Sequence, residues 1–168
     1  MRIRAAALED LPVLQDIERA AGICFRDLDM PEIAEDEPPE LDELARYLRA
    51  GLAWVAVDEH DLPAAYLVAA VVDGLLHVEQ VSVHPRCARR GVGRGLLEHL
   101  AREARARGMP AVTLTTFAQV PWNAPYYLRC GFRILEPDEL TPGLRALRRR
   151  EEELGFDRWP RICMRREL

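Results

Sequence analysis

The chain has 168 residues, 49% hydrophobic and 30% charged, with a formal net charge of −5, which is enough length for one well-buried core and too little for two. The acidic balance argues against a general nucleic-acid binder, which needs a basic face to neutralise phosphates. The longest apolar run, residues 64–72, is far shorter than the ~20 residues of a membrane-spanning helix, and because all 23 basic residues are arginine, any chemistry that depends on lysine is excluded.

Glu9 and Asp10 stand where a signal peptide needs an apolar stretch, so a cytoplasmic protein is expected. The lysine-free, alanine-rich composition fits a GC-rich bacterial source. Cys24, Cys87, Cys130 and Cys163 are scattered and form no C-x-x-C pair, so they read as reduced thiols. His60, His77, His84 and His99 have no metal-ligand spacing, and no metal is expected.

In chain order, residues 1–5 read as a strand and 7–21 as a helix with Leu8, Leu11, Leu14, Ile17 and Ala21 near the helical period. Residues 27–43 are acidic and carry Pro31, Pro38 and Pro39, which predicts a loop, with Pro39 opening a second helix through Leu48. Strands follow at 52–58, 64–72 and 75–83, with Asp73-Gly74 as a hairpin turn between the last two. A helix over 93–107 buries Leu96, Leu97, Leu100 and Ala104 on one face. A strand at 111–117 completes a strand-helix-strand unit, which implies locally parallel pairing. A short helix at 124–129, a strand from Phe132, a charged segment at 140–154 and a strand at 161–166 end the chain.

The block at 81–97, VSVHPRCARRGVGRGLL, carries the chemistry. Gly91, Gly93 and Gly95 allow a tight turn whose amides point outward at a helix N-terminus, and Arg86, Arg89, Arg90 and Arg94 surround it with positive charge. Such a turn cradles phosphate. A P-loop requires a lysine, and a dinucleotide fingerprint requires G-x-G-x-x-G followed by an acid; this chain has neither.

Arg90, Gly93 and Gly95 match the [QR]-x-x-G-x-[GA] signature of the general-control-type N-acetyltransferases (GNAT), after a strand ending Val81-Ser82-Val83-His84-Pro85. Residues 123–132, NAPYYLRCGF, resemble the family's later motif, with Tyr127 at the tyrosine position. The resemblance implies an α+β fold over residues 1–168 as one domain. It would have a mostly antiparallel sheet of about six to seven strands flanked by helices, and acetyl-CoA as co-substrate. It further implies that amides of the segment containing Arg89, Arg90, Gly91, Val92, Gly93, Arg94 and Gly95 hold the pyrophosphate. Val81 and Val83 would bond the pantetheine arm through their main chain. Asn123 lies four residues before Tyr127, closer than in many members, and is assigned to cofactor or substrate contact.

Acyl transfer to an amine needs a neutral nucleophile, although a lysine-like amine has a pKa of ~10.4, so a base is required. Glu79 is the candidate, directly or through water, because it shares side-chain parity with Val81 and Val83 in an apolar stretch; the plainer alternative is a strand-edge carboxylate paired with an arginine. Tyr127 is the candidate acid for the departing thiolate, against the alternative of an amphipathic core tyrosine. A main-chain amide near Val81 is the donor implied for the acetyl carbonyl, and Trp122 is a candidate for the acceptor pocket. The acidic residues Asp27, Asp29, Glu32, Glu35, Asp36 and Glu37 either steer a cationic acceptor or form a solvated loop. The rival readings are an acyl-CoA sensor without turnover and an enzyme using a larger acyl group. Sheet edges or the C-terminal segment leave room for a homodimer.

Overall fold

The computed structural model describes residues 1–168. Seven strands form one sheet in the order β1-β2-β3-β4-β5-β7-β6: β1 (Arg2–Ala5), β2 (Ala53–Val57), β3 (Pro63–Val72), β4 (Leu75–Val83), β5 (Ala111–Phe117), β6 (Arg133–Ile134) and β7 (Arg161–Glu167). The β1/β2, β2/β3, β5/β7 and β6/β7 pairs are antiparallel. The β4/β5 pair is parallel. Six helices accompany them: α1 (Leu11–Gly22), α2 (Pro31–Ala34), α3 (Leu41–Arg49), α4 (Val92–Ala106), α5 (Ala124–Arg129) and α6 (Pro142–Glu153). This is the expected mixed α+β fold with a mostly antiparallel sheet. Contacts within the chain group it into two compact units: Met1–Ala69 with Gln80–His99, and Ala70–Glu79 with Leu100–Leu168.

In the first unit, Leu11, Leu14 and Ile17 of α1 and Leu44 and Ala45 of α3 pack with Ala53, Val55 and Val57 of β2 and Tyr66 and Val68 of β3. Leu14 is fully buried, so truncation to alanine there would cost about 2–5 kcal/mol through lost transfer energy and the cavity left behind. Helix α1 begins later than the apolar periodicity predicts. Leu8–Asp10 forms a 3-10 turn, and Pro12 sits in the first turn of the helix. Leu8 is therefore exposed, and Asp10 is buried in its place. Burial alone would push the Asp10 carboxyl up, but hydrogen bonds from Arg4 and the Ala7 amide hold it below its usual range.

The acidic stretch is more ordered than the expected loop. It contains a 3-10 turn over Ile23–Leu28 and the short helix α2, anchored by buried Met30. Helix α3 starts at Leu41, two residues after Pro39.

The β3/β4 hairpin closes on Asp73 and Gly74 with φ of 50° and 77°, the paired positive values of a type I′ turn. In the second unit Leu135, Leu144 and Cys163 form a small core against Val72, Leu140 and Leu147. The charged segment whose conformation the sequence left open is helix α6, with Leu144 as its buried anchor.

Candidate functional site

The phosphate-type turn lies in the first unit. Strand β4 ends at Val83, and a 3-10 turn over Pro85–Cys87 follows, in which His84 Nδ1 accepts the Arg86 amide at 3.2 Å. Cys87 is buried and donates its amide to the His84 carbonyl at 2.8 Å, which fixes the entry to the turn. The chain then reverses through Arg89 (φ 61°) and Gly91 (φ 76°) and enters α4 at Val92.

The turning is done by Arg89 and Gly91, which corrects the expectation that all three glycines make the turn. Gly93 and Gly95 already belong to the first turns of α4. A Cβ on Gly95 would make ordinary contact with Ile3 Cδ1 at 3.7 Å, so no tight packing demands glycine there. The first amides of α4 have no acceptor inside the helix, and the helix dipole adds positive potential at that end. Arg86, Arg89, Arg90 and Arg94 are all exposed around it. Chemically, such an arrangement suits a polyanion.

Strand β4 pairs with β5 only through Leu76↔Val112, His77↔Thr113 and Val78↔Leu114, and then runs five residues further. Val81 and Val83 lie on that extension with half-buried side chains. Its even-numbered face points elsewhere: Ser82 Oγ and Gln80 Nε2 donate to Glu18 of α1, at 2.6 and 3.1 Å.

The remaining sequence candidates belong to the second unit. The Glu79 side chain is exposed, although the stretch of sequence around it is largely apolar. Tyr127 is 8% exposed on α5 and meets Tyr126 and Phe132 edge to face, with ring centroids 5.6 and 5.9 Å apart. Burial pushes its phenol well above the ordinary tyrosine range, so it is a permanent hydrogen-bond donor at working pH. Asn123 caps α5, its carbonyl accepting the Tyr127 amide at 2.9 Å. Its side-chain Nδ2 is buried without a hydrogen-bond partner, a donor still to be satisfied. Trp122 is 39% exposed.

Thr115 donates its hydroxyl to Glu151, so it serves an internal network. Arg148 and Arg161 each contact Glu151 at 2.6 Å, and Arg161 lies over the Phe117 ring at 4.4 Å. Burial would raise the Glu151 carboxyl, but Arg161, Thr115 and Arg148 hold it below its ordinary value.

Sequence reasoning missed Glu18. Its signal was periodic: position 18 follows Leu11 by seven and Leu14 by four, so a carboxylate falls in the register of the apolar stripe. No helix is long and apolar enough to cross a membrane.

Comparison with known proteins agrees with this geometry. The model of the "Acetyltransferase (GNAT) family" matches residues 15–132, which span α1 to Phe132 and include the turn and Tyr127. Among solved structures, the chain resembles the PaiA N-acetyltransferase from Thermoplasma acidophilum in complex with coenzyme A, at 13% identity and a TM-score of 0.72, covering 99% of this chain and 98% of that one. It also resembles the ribosomal-protein-S18-alanine N-acetyltransferase from Escherichia coli, at 22% identity and a TM-score of 0.65, covering 99% and 92%. A GNAT-family acetyltransferase from Staphylococcus aureus is similar at 16% identity and a TM-score of 0.70, covering 99% and 98%. At these identities the structures speak for the fold, and the family match speaks for the chemistry: the chain belongs to the GNAT acetyltransferase family and is an acyltransferase that draws its acyl group from an acyl-CoA.

Proposed function

We propose that residues 1–168 act as one cytoplasmic domain that transfers the acetyl group of acetyl-CoA to a primary amine by direct attack within a ternary complex. The observation that carries this reading is the Arg89–Gly91 reversal into α4, an anion cradle inside the family-matched segment. Amides at the start of α4, with Arg89, Arg90 and Arg94, suit the pyrophosphate of the co-substrate. The part of β4 beyond its pairing with β5 suits main-chain bonds from Val81 and Val83 to the pantetheine arm.

Two proton movements remain for side chains. Glu79, in contact with solvent, removes the proton of the acceptor ammonium through water. Tyr127 donates toward the departing thiolate. Its raised phenol makes complete transfer to a thiolate of ordinary pKa ~8.5 uphill, so its contribution is a hydrogen bond that strengthens as charge develops on sulfur. Cys87, Cys130 and Cys163 are buried and Cys24 is exposed in the 3-10 turn after α1; burial pushes the Cys163 thiol up to about 11, which disfavours an acyl-cysteine intermediate at that residue. An amine acceptor accords with the N-acetyl transfers named for two of the similar structures. The unpartnered Asn123 Nδ2 is a donor for the co-substrate or acceptor.

The test is thiol release from acetyl-CoA with a panel of amines, comparing the native protein with Tyr127→Phe. Amine-dependent release that falls about 100-fold in the variant supports this reading, a size typical of losing a positioned proton donor. Acetyl-CoA binding with no release for any amine defeats it.

A further inference from the structure

The carboxylate of Glu18 is held in an unusual way. Its Oε2 accepts the Tyr66 hydroxyl at 2.7 Å and the Ser82 hydroxyl at 2.6 Å, and its Oε1 accepts Gln80 Nε2 at 3.1 Å. Tyr66 and Ser82 are 0% and 5% exposed. All three donors are neutral, so they orient the carboxylate and leave its negative charge uncompensated. The neighbouring Arg19 points away, toward Asp16 at 3.3 Å and Glu37 at 4.0 Å. Burial, followed by the charge of Glu18, pushes the Tyr66 phenol well above its usual value, as a standing negative charge should.

A carboxylate offers about four acceptor positions, and three are taken here, which leaves one on Oε1. The half-buried group keeps a path to solvent, and α1 leads directly into the exposed acidic segment that begins at Asp27. A rigid, partly desolvated carboxylate with one open acceptor position suits a cation. It does not suit the reacting amine, because a carboxylate in contact would stabilise the ammonium form and oppose its deprotonation.

We propose that Glu18, fixed by Tyr66, Ser82 and Gln80, binds a second, non-reacting cationic group of the acceptor, so that the preferred acceptors are diamines and similar molecules with two separated positive charges. This rests on the amine-acetyltransfer reading above. The acceptor then carries its charge in two roles, one ammonium lost before attack and the other retained as an anchor.

The test uses paired probes: tetramethylenediamine and n-pentylamine, of equal length but with two amines and one. Each is titrated calorimetrically into the full chain in excess coenzyme A, where no transfer can occur. The diamine is expected to bind at least about tenfold more tightly, since hydrogen bonds to charged groups contribute about 1.5–3 kcal/mol. Glu18→Gln should erase the difference, whereas Glu59→Gln, which removes a carboxylate that is 87% exposed and has no part in the site, should retain it. Equal binding of the two probes to the native protein overturns the proposal without recourse to any variant, as does a preference that survives in Glu18→Gln. Failure of every amine to release thiol would defeat amine acetylation, while the titration would still decide the role of Glu18.

Discussion

Glu18 and Glu151 are carboxylates of the same type, each half-buried and each held by three donors, one in each compact unit. Glu18 receives its bonds from a phenol, a hydroxyl and an amide. Glu151 receives two of its three from arginines. At Glu151 the charge is neutralised inside the fold, and the carboxylate ties α6 to β5 and β7. At Glu18 the fold supplies geometry but no counter-charge, which is how a binding group differs from a structural one.

The largest way to break the comparison is Glu151→Ala. Arg148 and Arg161 are only 18% and 13% exposed and would lose their anion, so unfolding free energy should fall by about 3 kcal/mol, the low end of the range for breaking a buried pair. Urea denaturation measures it. A loss under about 1 kcal/mol would place Glu151 with ordinary surface pairs.

Acid probes the same unit. His77 is 2% exposed, with Nδ1 2.8 Å from Thr113 Oγ1, and burial lowers its pKa from 6.5 to about 4, opposed by the charge of Glu151. Above the unfolded value His77 is neutral in both states. Below it the unfolded chain takes up a proton that the fold refuses, so stability should fall as pH drops from 6.5 toward about 4, by about 3 kcal/mol in all. In His77→Gln this part of the acid limb should vanish from denaturation curves taken across that window. A limb unchanged in the variant would assign the acid loss to carboxylates instead.

The smallest effect is expected at Glu18. Glu18→Gln keeps the shape of the side chain and leaves no arginine or lysine without an anion, so stability should change by no more than about 1 kcal/mol. Thermal unfolding beside Glu151→Ala gives the contrast directly. Equal losses in the two variants would mean that Glu18 is as structural as Glu151.

Much of this was readable beforehand. Asp73-Gly74 specified its hairpin, the apolar face of α4 was named residue by residue, and the R-x-x-G-x-G segment with NAPYYLRCGF pointed to the family. What was misread followed from local rules overridden nearby. Pro12 and the Arg4–Asp10 pair delayed α1 and exposed Leu8. Gly93 and Gly95 looked like turn residues although Arg89 and Gly91 complete the reversal before them. Glu79 stands in a largely apolar stretch of sequence and is nevertheless exposed, since the burial pattern of β4 changes after Val78, where its pairing with β5 stops.

The sequence by itself determined most of the elements, the hairpin and the turn before α4, because periodicity, turn chemistry and helix-start signals are properties of a few consecutive residues. Only the tertiary structure decided which carboxylates are neutralised and which are not. Glu18 is 48 residues from Tyr66 and 64 from Ser82, and Glu151 is 36 from Thr115. Whether a buried charge meets a hydroxyl or a guanidinium depends on which distant segments the sheet brings beside it, and no local pattern encodes that.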